Sequence, residues 1–309
     1  MRDLTQAEKK IISLLETNCR MSASKISKIT NLSPEGVIKI IQRLINRKII
    51  LKFNAKINYS KLGYELYSAH IKLVKSDNLA IQEIKNILKK YACCNWFNFC
   101  EGEYDLLLGF RISSSDDKIK MGQLFSDISE YVMEKEISII FNAYELSTSF
   151  MDKPKKVFTI FDQAVKKENI DEQQLKLMKV IKENSRAKIL NLAKELNMSP
   201  KTIAEKIKNF EKNNIVGYKT KLNLAALGFQ PCIALIMLNN YDEKDYNKFL
   251  SYCSNKNCVN YFIKQVGMYD IELTINTEDI NAFYEFVNEI KDAFKIVKKI
   301  TTLISKGNY

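Results

Sequence analysis

Two stretches combine a helix-starting Ser-Pro pair with cationic and amide side chains lying off an apolar stripe. In the first these are Ser33, Glu35, Gly36, Lys39, Gln42 and Arg43; in the second, Ser199, Lys201, Thr202, Lys206 and Asn209. Lys52 and Lys56 follow the first stretch, and Lys219 and Lys221 the second. The chemistry such residues offer is neutralisation of phosphates and hydrogen bonding to base edges. Lysine reads bases poorly, whereas arginine makes the bidentate contact to guanine. The chain has six arginines, of which Arg43 and Arg47 alone fall in these stretches. A large phosphate contribution with modest sequence selectivity follows, shape readout adding to it. The plainer alternative is a solvated helix face.

Both stretches belong to a duplication. Asn31-Leu32-Ser33-Pro34 returns as Asn197-Met198-Ser199-Pro200, an offset of 166. Lys61-Leu62-Gly63-Tyr64 returns as Ala226-Leu227-Gly228-Phe229, and Gly102-Glu103-Tyr104-Asp105 as Gly267-Met268-Tyr269-Asp270, both offset by 165. A period this long exceeds the roughly 20–50 residues of solenoid repeats, so each copy is domain-sized.

Each copy opens with three helix-like segments. In copy one, Ile11, Ile12, Leu14 and Leu15 mark the first, Ser22 and Ser24 offer caps for a short second, and Val37, Ile41 and Leu44 stripe the third. In copy two, Leu175, Met178 and Ile181 are expected inward on the first, and Ile203, Ile207 and Phe210 on the third. Ile49–Leu51 with Asn54–Asn58, and Ile215–Leu224, are expected to form hairpins. Three helices, the last two joined by a tight turn, plus a hairpin make a winged helix-turn-helix. Its third helix fits a major groove about 12 Å wide, and its wing meets phosphates.

The rest of each copy reads βαββαβ, the split arrangement of a ferredoxin-like domain. In copy one the segments are 66–74, 78–91, 96–100, 104–112, 117–131 and 136–141; in copy two, 232–238, 243–253, 259–265, 269–275, 279–294 and 296–304. Helices on one face leave the other sheet face open to pairing. The fold class is therefore α+β, with winged helices over 1–62 and 170–227, ferredoxin-like domains over 63–149 and 228–309, and a linker over 150–169.

Charge divides along the same lines. The net charge of +12 concentrates in residues 1–62 (+9) and 170–227 (+6), while the two ferredoxin-like segments together carry −5. Segregated positive charge is the footprint of a phosphate-binding module. No run of 18 apolar residues or signal-like N-terminus is present, so a cytoplasmic protein is expected. Seven cysteines without paired CxxC spacing read as reduced thiols rather than a metal site. No cofactor is expected.

The chain resembles the Lrp/AsnC family of feast/famine transcriptional regulators. The matching residues are Leu32-Ser33-Pro34, Val37, Ile41, Leu44, Ile49, Leu62-Gly63 and Glu101–Asp105. In copy two they are Met198-Ser199-Pro200, Ile203, Ile207, Ile215–Tyr218, Leu227-Gly228 and Gly267–Asp270. The resemblance implies double-stranded DNA as partner, a RAM (regulation of amino-acid metabolism) domain that self-associates through its sheet, and small effectors such as amino acids. It also implies that effectors bind near the Gly-x-Tyr-Asp turn, here Gly102, Tyr104 and Asp105, and Gly267, Tyr269 and Asp270. Glycine lets backbone approach a ligand, and aspartate can accept from an ammonium group; a hairpin turn with a packing tyrosine is the alternative. Where typical members pair two basic residues mid-helix, this chain has Lys39-Ile40 and Glu205-Lys206.

Two other functions stay open. One is an architectural protein coating DNA with little selectivity. The other is a tetrapyrrole enzyme, since sirohaem decarboxylases resemble the same two-domain plan. Against the latter, the chain has a single histidine, His70, and Arg111 is the only arginine in either RAM segment.

Overall fold

The computed structural model describes residues 4–146, 157–213 and 215–308; residues 150–156 of the expected linker lie outside them. Copy one runs α1 (Gln6–Thr17), α2 (Ala23–Thr30), α3 (Pro34–Asn46), β1 (Ile50–Ile57), β2 (Glu65–Leu73), α4 (Asn78–Leu88), β3 (Cys94–Gly102), β4 (Leu106–Ile112), α5 (Ser115–Asp127) and β5 (Val132–Leu146). Strand β6 (Val157–Asp162) follows, within the stretch expected to be linker. Copy two runs α6 (Glu172–Glu183), α7 (Ile189–Glu195), α8 (Pro200–Lys212), β7 (Val216–Leu222), β8 (Gln230–Leu238), α9 (Glu243–Asn255), β9 (Val259–Val266), β10 (Ile271–Thr277), α10 (Ile280–Ala293) and β11 (Val297–Asn308).

Contacts group the modules by type, not by copy. Both helix-turn-helix modules make one compact unit, and both βαββαβ modules make another.

In the helical unit, local chemistry sets the boundaries. Ser33 and Ser199 cap α3 and α8, accepting from the backbone N–H of Gly36 and Thr202, and proline follows each. Asn31 and Asn197 close the turns with φ of 58° and 51°, the left-handed region that asparagine tolerates. The stripe Val37, Ile41 and Leu44 is buried, as is Ile203, Ile207 and Phe210. On α6 the inward face differs from expectation. Leu175 is exposed, and Leu177 joins Met178 and Ile181 in the core.

The expected wing hairpins are absent among the described residues. Each copy contributes one strand, and β1 pairs antiparallel with β7, from Ile50↔Leu222 to Ile57↔Val216. A strand's backbone needs a partner, and the twin strand of the other copy supplies it. Alternation then places Ala55, Ile57, Val216 and Tyr218 in the core, while Lys52, Asn54, Lys56, Lys219 and Lys221 share the other face.

In the second unit each module forms an antiparallel sheet, β5-β2-β4-β3 and β11-β8-β10-β9. The sheets join at both edges, β3 to β11 and β5 to β9, so the eight strands close on themselves and leave none of those edges unpaired. The faces opposite the helices are buried against each other, around Cys100, Tyr104, Leu107, Ile233, Leu235, Tyr269 and Leu303. Pairing between these modules is thus made within one chain.

Candidate nucleic-acid interface

The two helix-turn-helix modules are clasped by arginines that motif reading passed over. Arg20 donates to the Ser185 carbonyl and lies over the Tyr218 ring, 5.5 Å from its centroid. Arg186 donates to the Cys19 carbonyl at 2.6 Å and lies 5.1 Å from the centroid of Phe53. Cys19 Sγ and Ser185 Oγ meet at 2.9 Å between them. Burial pushes the Cys19 thiol above its ordinary value, and burial likewise pulls Arg186 down. A signal for this clasp exists in the sequence: Arg20 and Arg186 are equivalent across the repeat, whereas Arg43 and Arg47 correspond to Asn209 and Asn213. Copy-independent arginines belong to the junction, and copy-specific ones to the outer face.

On α3 the expected polar face is open: Glu35, Lys39, Gln42 and Arg43 are exposed, and Gln42 donates to Asn46 at 3.0 Å. The buried Glu8 carboxylate steadies the helix's C-terminal end. It accepts from Arg47 at 3.2 Å and sits 3.7 Å from Arg43 Nε, whose side chain stays 56% exposed. Ser33 is committed to its cap and Gly36 packs against it, a Cβ at Gly36 reaching Ser33 Oγ at 3.2 Å.

On α8, Lys201 and Asn209 are exposed, Asn209 accepting from Asn213. Thr202 exchanges a hydroxyl hydrogen bond with Ser199 at 2.8 Å. Lys206 departs from the expected phosphate contact. Its ammonium pairs with Asp171 at 2.9 Å, its side chain is 17% exposed, and it holds that carboxyl below the usual range. Its position corresponds to Ile40, which is buried, so geometry turns it toward α6 rather than outward. The ribbon lysines are also partly engaged: Lys52 pairs with Glu183, and Lys56 lies over Phe158. Lys219 is half-buried and Lys221 exposed.

The Gly-x-Tyr-Asp residues meet at the seam of the two sheets. A Cβ on Gly102, whose φ is 142°, would lie 2.8 Å from the Thr302 carbonyl; one on Gly267 would lie 2.2 Å from Ser138 Oγ. Each glycine admits the neighbouring copy's strand. Tyr104 and Tyr269 are buried, 6.2 Å apart between ring centroids, and Tyr269 donates to Thr301 at 3.2 Å. Asp105 accepts from the Leu73 N–H at 2.9 Å and pairs with Lys72; Asp270 accepts from the Leu238 N–H at 2.7 Å. The geometry thus gives all six residues structural work, closest to the turn-and-packing alternative.

With the geometry in place, comparison with known proteins decides the family. A winged helix-turn-helix DNA-binding model matches residues 4–50 and again 170–216. An uncharacterised HTH-type transcriptional regulator of Pyrococcus furiosus is 30% identical over 115 residues, spanning 37% of this chain and 76% of that protein. The chain belongs to the Lrp/AsnC family. Among solved structures, AsnC of Escherichia coli is 22% identical and covers 45% of the chain and 93% of its own, with a TM-score of 0.39. The sirohaem decarboxylase NirDL covers 98% of the chain and 92% of its own, at 12% identity and a TM-score of 0.65. That likeness shows the two-copy fold along the whole length. As an Lrp/AsnC member the chain is α+β throughout, and no helix among the described residues is long and apolar enough to cross a membrane.

Proposed function

We propose that the chain is a transcriptional regulator that binds double-stranded DNA through two unlike recognition helices, α3 and α8. One observation carries this reading: the β1–β7 ribbon and the Arg20/Arg186 clasp hold both helix-turn-helix modules in one unit, each presenting a Ser-Pro-capped helix with an exposed polar face. Lys39 and Arg43 on α3, Lys201 and Asn209 on α8, and the ribbon lysines meet phosphates and base edges. Helices held about 34 Å apart read successive major grooves. Fluorescence anisotropy with duplex DNA tests it. Affinity should fall steeply and linearly in log salt; a flat salt response would refute it.

A small effector such as an amino acid belongs to the same proposal, acting through the RAM pair. Because the Gly-x-Tyr-Asp residues form the sheet seam, an effector acts by loosening or tightening that seam. Calorimetry with single amino acids, read alongside DNA affinity, tests this; amino acids that bind without changing DNA affinity would refute it.

The whole-chain likeness to NirDL supports a second reading, a tetrapyrrole enzyme. The chain's histidine, His70, is fully buried and 3.4 Å from Glu272, an arrangement suited to structure rather than to a substrate. Absorbance in the Soret region after adding sirohaem separates the readings: porphyrin binding without DNA affinity would replace the regulator.

A further inference from the structure

The seam between the two RAM sheets is symmetric in backbone and asymmetric in chemistry. The strands correspond at a constant offset of 165, so each contact across the seam has a mirror contact with the copies exchanged. His70 of copy one pairs with Glu272 of copy two at 3.4 Å. Their equivalents are Leu235 and Leu107, which lie in one buried apolar cluster. Ser68 donates to Gln265 at 2.8 Å, and the mirror positions, Ile233 and Cys100, lie in that same cluster. Ser305 bonds Asn98 at 3.0 Å, and the mirror positions are Ile140 and Ile263. Each of the three polar pairs is therefore matched by an apolar pair at its mirror position. All six polar residues are buried.

This arrangement permits one pairing and penalises the other two. Two copy-one modules brought together would set His70 against Leu107 twice, with Ser68 against Cys100 and Asn98 against Ile140. Two copy-two modules would set Glu272 against Leu235 twice and Gln265 against Ile233. Each such mismatch buries a polar group without the partner it has in the unlike pair, which costs stability. The axial pair, Tyr104 and Tyr269, is the same in every combination and discriminates nothing.

We propose that this seam is a pairing code: the copy-one RAM module accepts only a copy-two module and rejects its own kind. The chain is a built-in heterodimer. Every assembly it forms carries α3 and α8 in equal number, and no assembly presents two α3 modules paired through their RAM sheets. The code stands independently of what the helices bind.

The test uses the full chain with a specific protease site inserted between Lys155 and Lys156, cut after folding. The cut protein is unfolded in urea, refolded and examined by native mass spectrometry. The wild-type fragments should reassemble as copy one with copy two, like pairs being at least about a hundredfold rarer. His70→Leu with Glu272→Leu, which installs the mirror pair on both sides, should let like pairs form. Wild-type fragments appearing in all three combinations would overturn the proposal. So would exclusive unlike pairing that persists when Ser68→Ile with Gln265→Cys and Ser305→Ile with Asn98→Ile, the other two mirror pairs, are added, which would place the discrimination elsewhere. If the cut chain does not refold, the intact chain decides through a double-mutant cycle in urea. His70→Leu and Glu272→Leu alone should each lower the folded-to-unfolded ratio by more than about tenfold, and the double variant should recover most of it. Additive losses would overturn it.

Discussion

Placing Gly267 at the sheet seam rather than at a ligand makes a quantitative prediction. In Gly267→Ala the new methyl would stand 2.2 Å from Ser138 Oγ, 2.9 Å from its Cβ and 3.1 Å from its Cα. Rotating the serine hydroxyl away relieves only the first contact, so β5 itself must give. Overpacking of this kind costs about 1–3 kcal/mol. Ser138 is buried and its hydroxyl has no hydrogen-bond partner, so removing that side chain sacrifices no bond. Ser138→Gly should therefore cost only the ~0.5–1 kcal/mol of a glycine within a strand. In the double variant the methyl of residue 267 occupies the vacated space, and stability should return to within ~1 kcal/mol of wild type. The cycle's interaction energy should be about 1–2 kcal/mol in favour of the pair. Urea unfolding of the intact chain, followed by tyrosine and tryptophan fluorescence, measures it. Gly122, on α5 with open space around its Cβ position, is the control: Gly122→Ala should stabilise by ~0.5–1 kcal/mol. If Gly267→Ala leaves stability within ~0.3 kcal/mol while abolishing amino-acid binding, the turn serves a ligand and the seam argument fails.

Arg186→Ala removes a charge-assisted bond to the Cys19 carbonyl and a ring contact with Phe53, and should destabilise the helical unit by ~2–3 kcal/mol; circular dichroism melts would check this. Lys39→Ala should flatten the salt slope of DNA binding by about one, whereas Lys206→Ala, whose ammonium is already held by Asp171, should leave that slope unchanged. Arg43→Ala should alter preference at one base position, and a uniform loss over all sequences would count against its role. Burial pushes the thiols of Cys94 and Cys100 up to about 12. In the unfolded chain they ionise near their ordinary value, so between pH 9 and 12 the folded state holds more protons. Stability should decline with rising pH across that window, read by urea midpoints.

Much of this architecture is legible along the chain because it is locally encoded. Ser-Pro starts, asparagine turns and periodic stripes specify α3 and α8 without reference to anything distant. What escapes local reading is partnership. Ile49–Leu51 with Asn54–Asn58 reads as a hairpin because a strand does not carry the identity of its partner, which here is β7 of the other copy. Gly102 and Gly267 signal only that a Cβ is unwelcome; whether a ligand or a neighbouring strand occupies the space is a tertiary fact. Lys206 reads as a surface cation until comparison with the buried Ile40 shows that its position faces inward. Strand β6 carries no repeat signature, so it reads as linker. The asymmetry of the seam was present in the sequence as His70 against Leu235 and Leu107 against Glu272, but it acquires meaning only once the pairing is known.

In the proposed function, one chain presents two different DNA-reading helices as a fixed pair. Selection of bound sites from random duplex DNA by the full chain tests it most directly, run with and without a pool of amino acids. A site of two unequal halves is expected, because Glu35-Gly36 and Lys39 of one helix stand where Lys201-Thr202 and Glu205 stand in the other. A perfect palindrome as the sole consensus would contradict it.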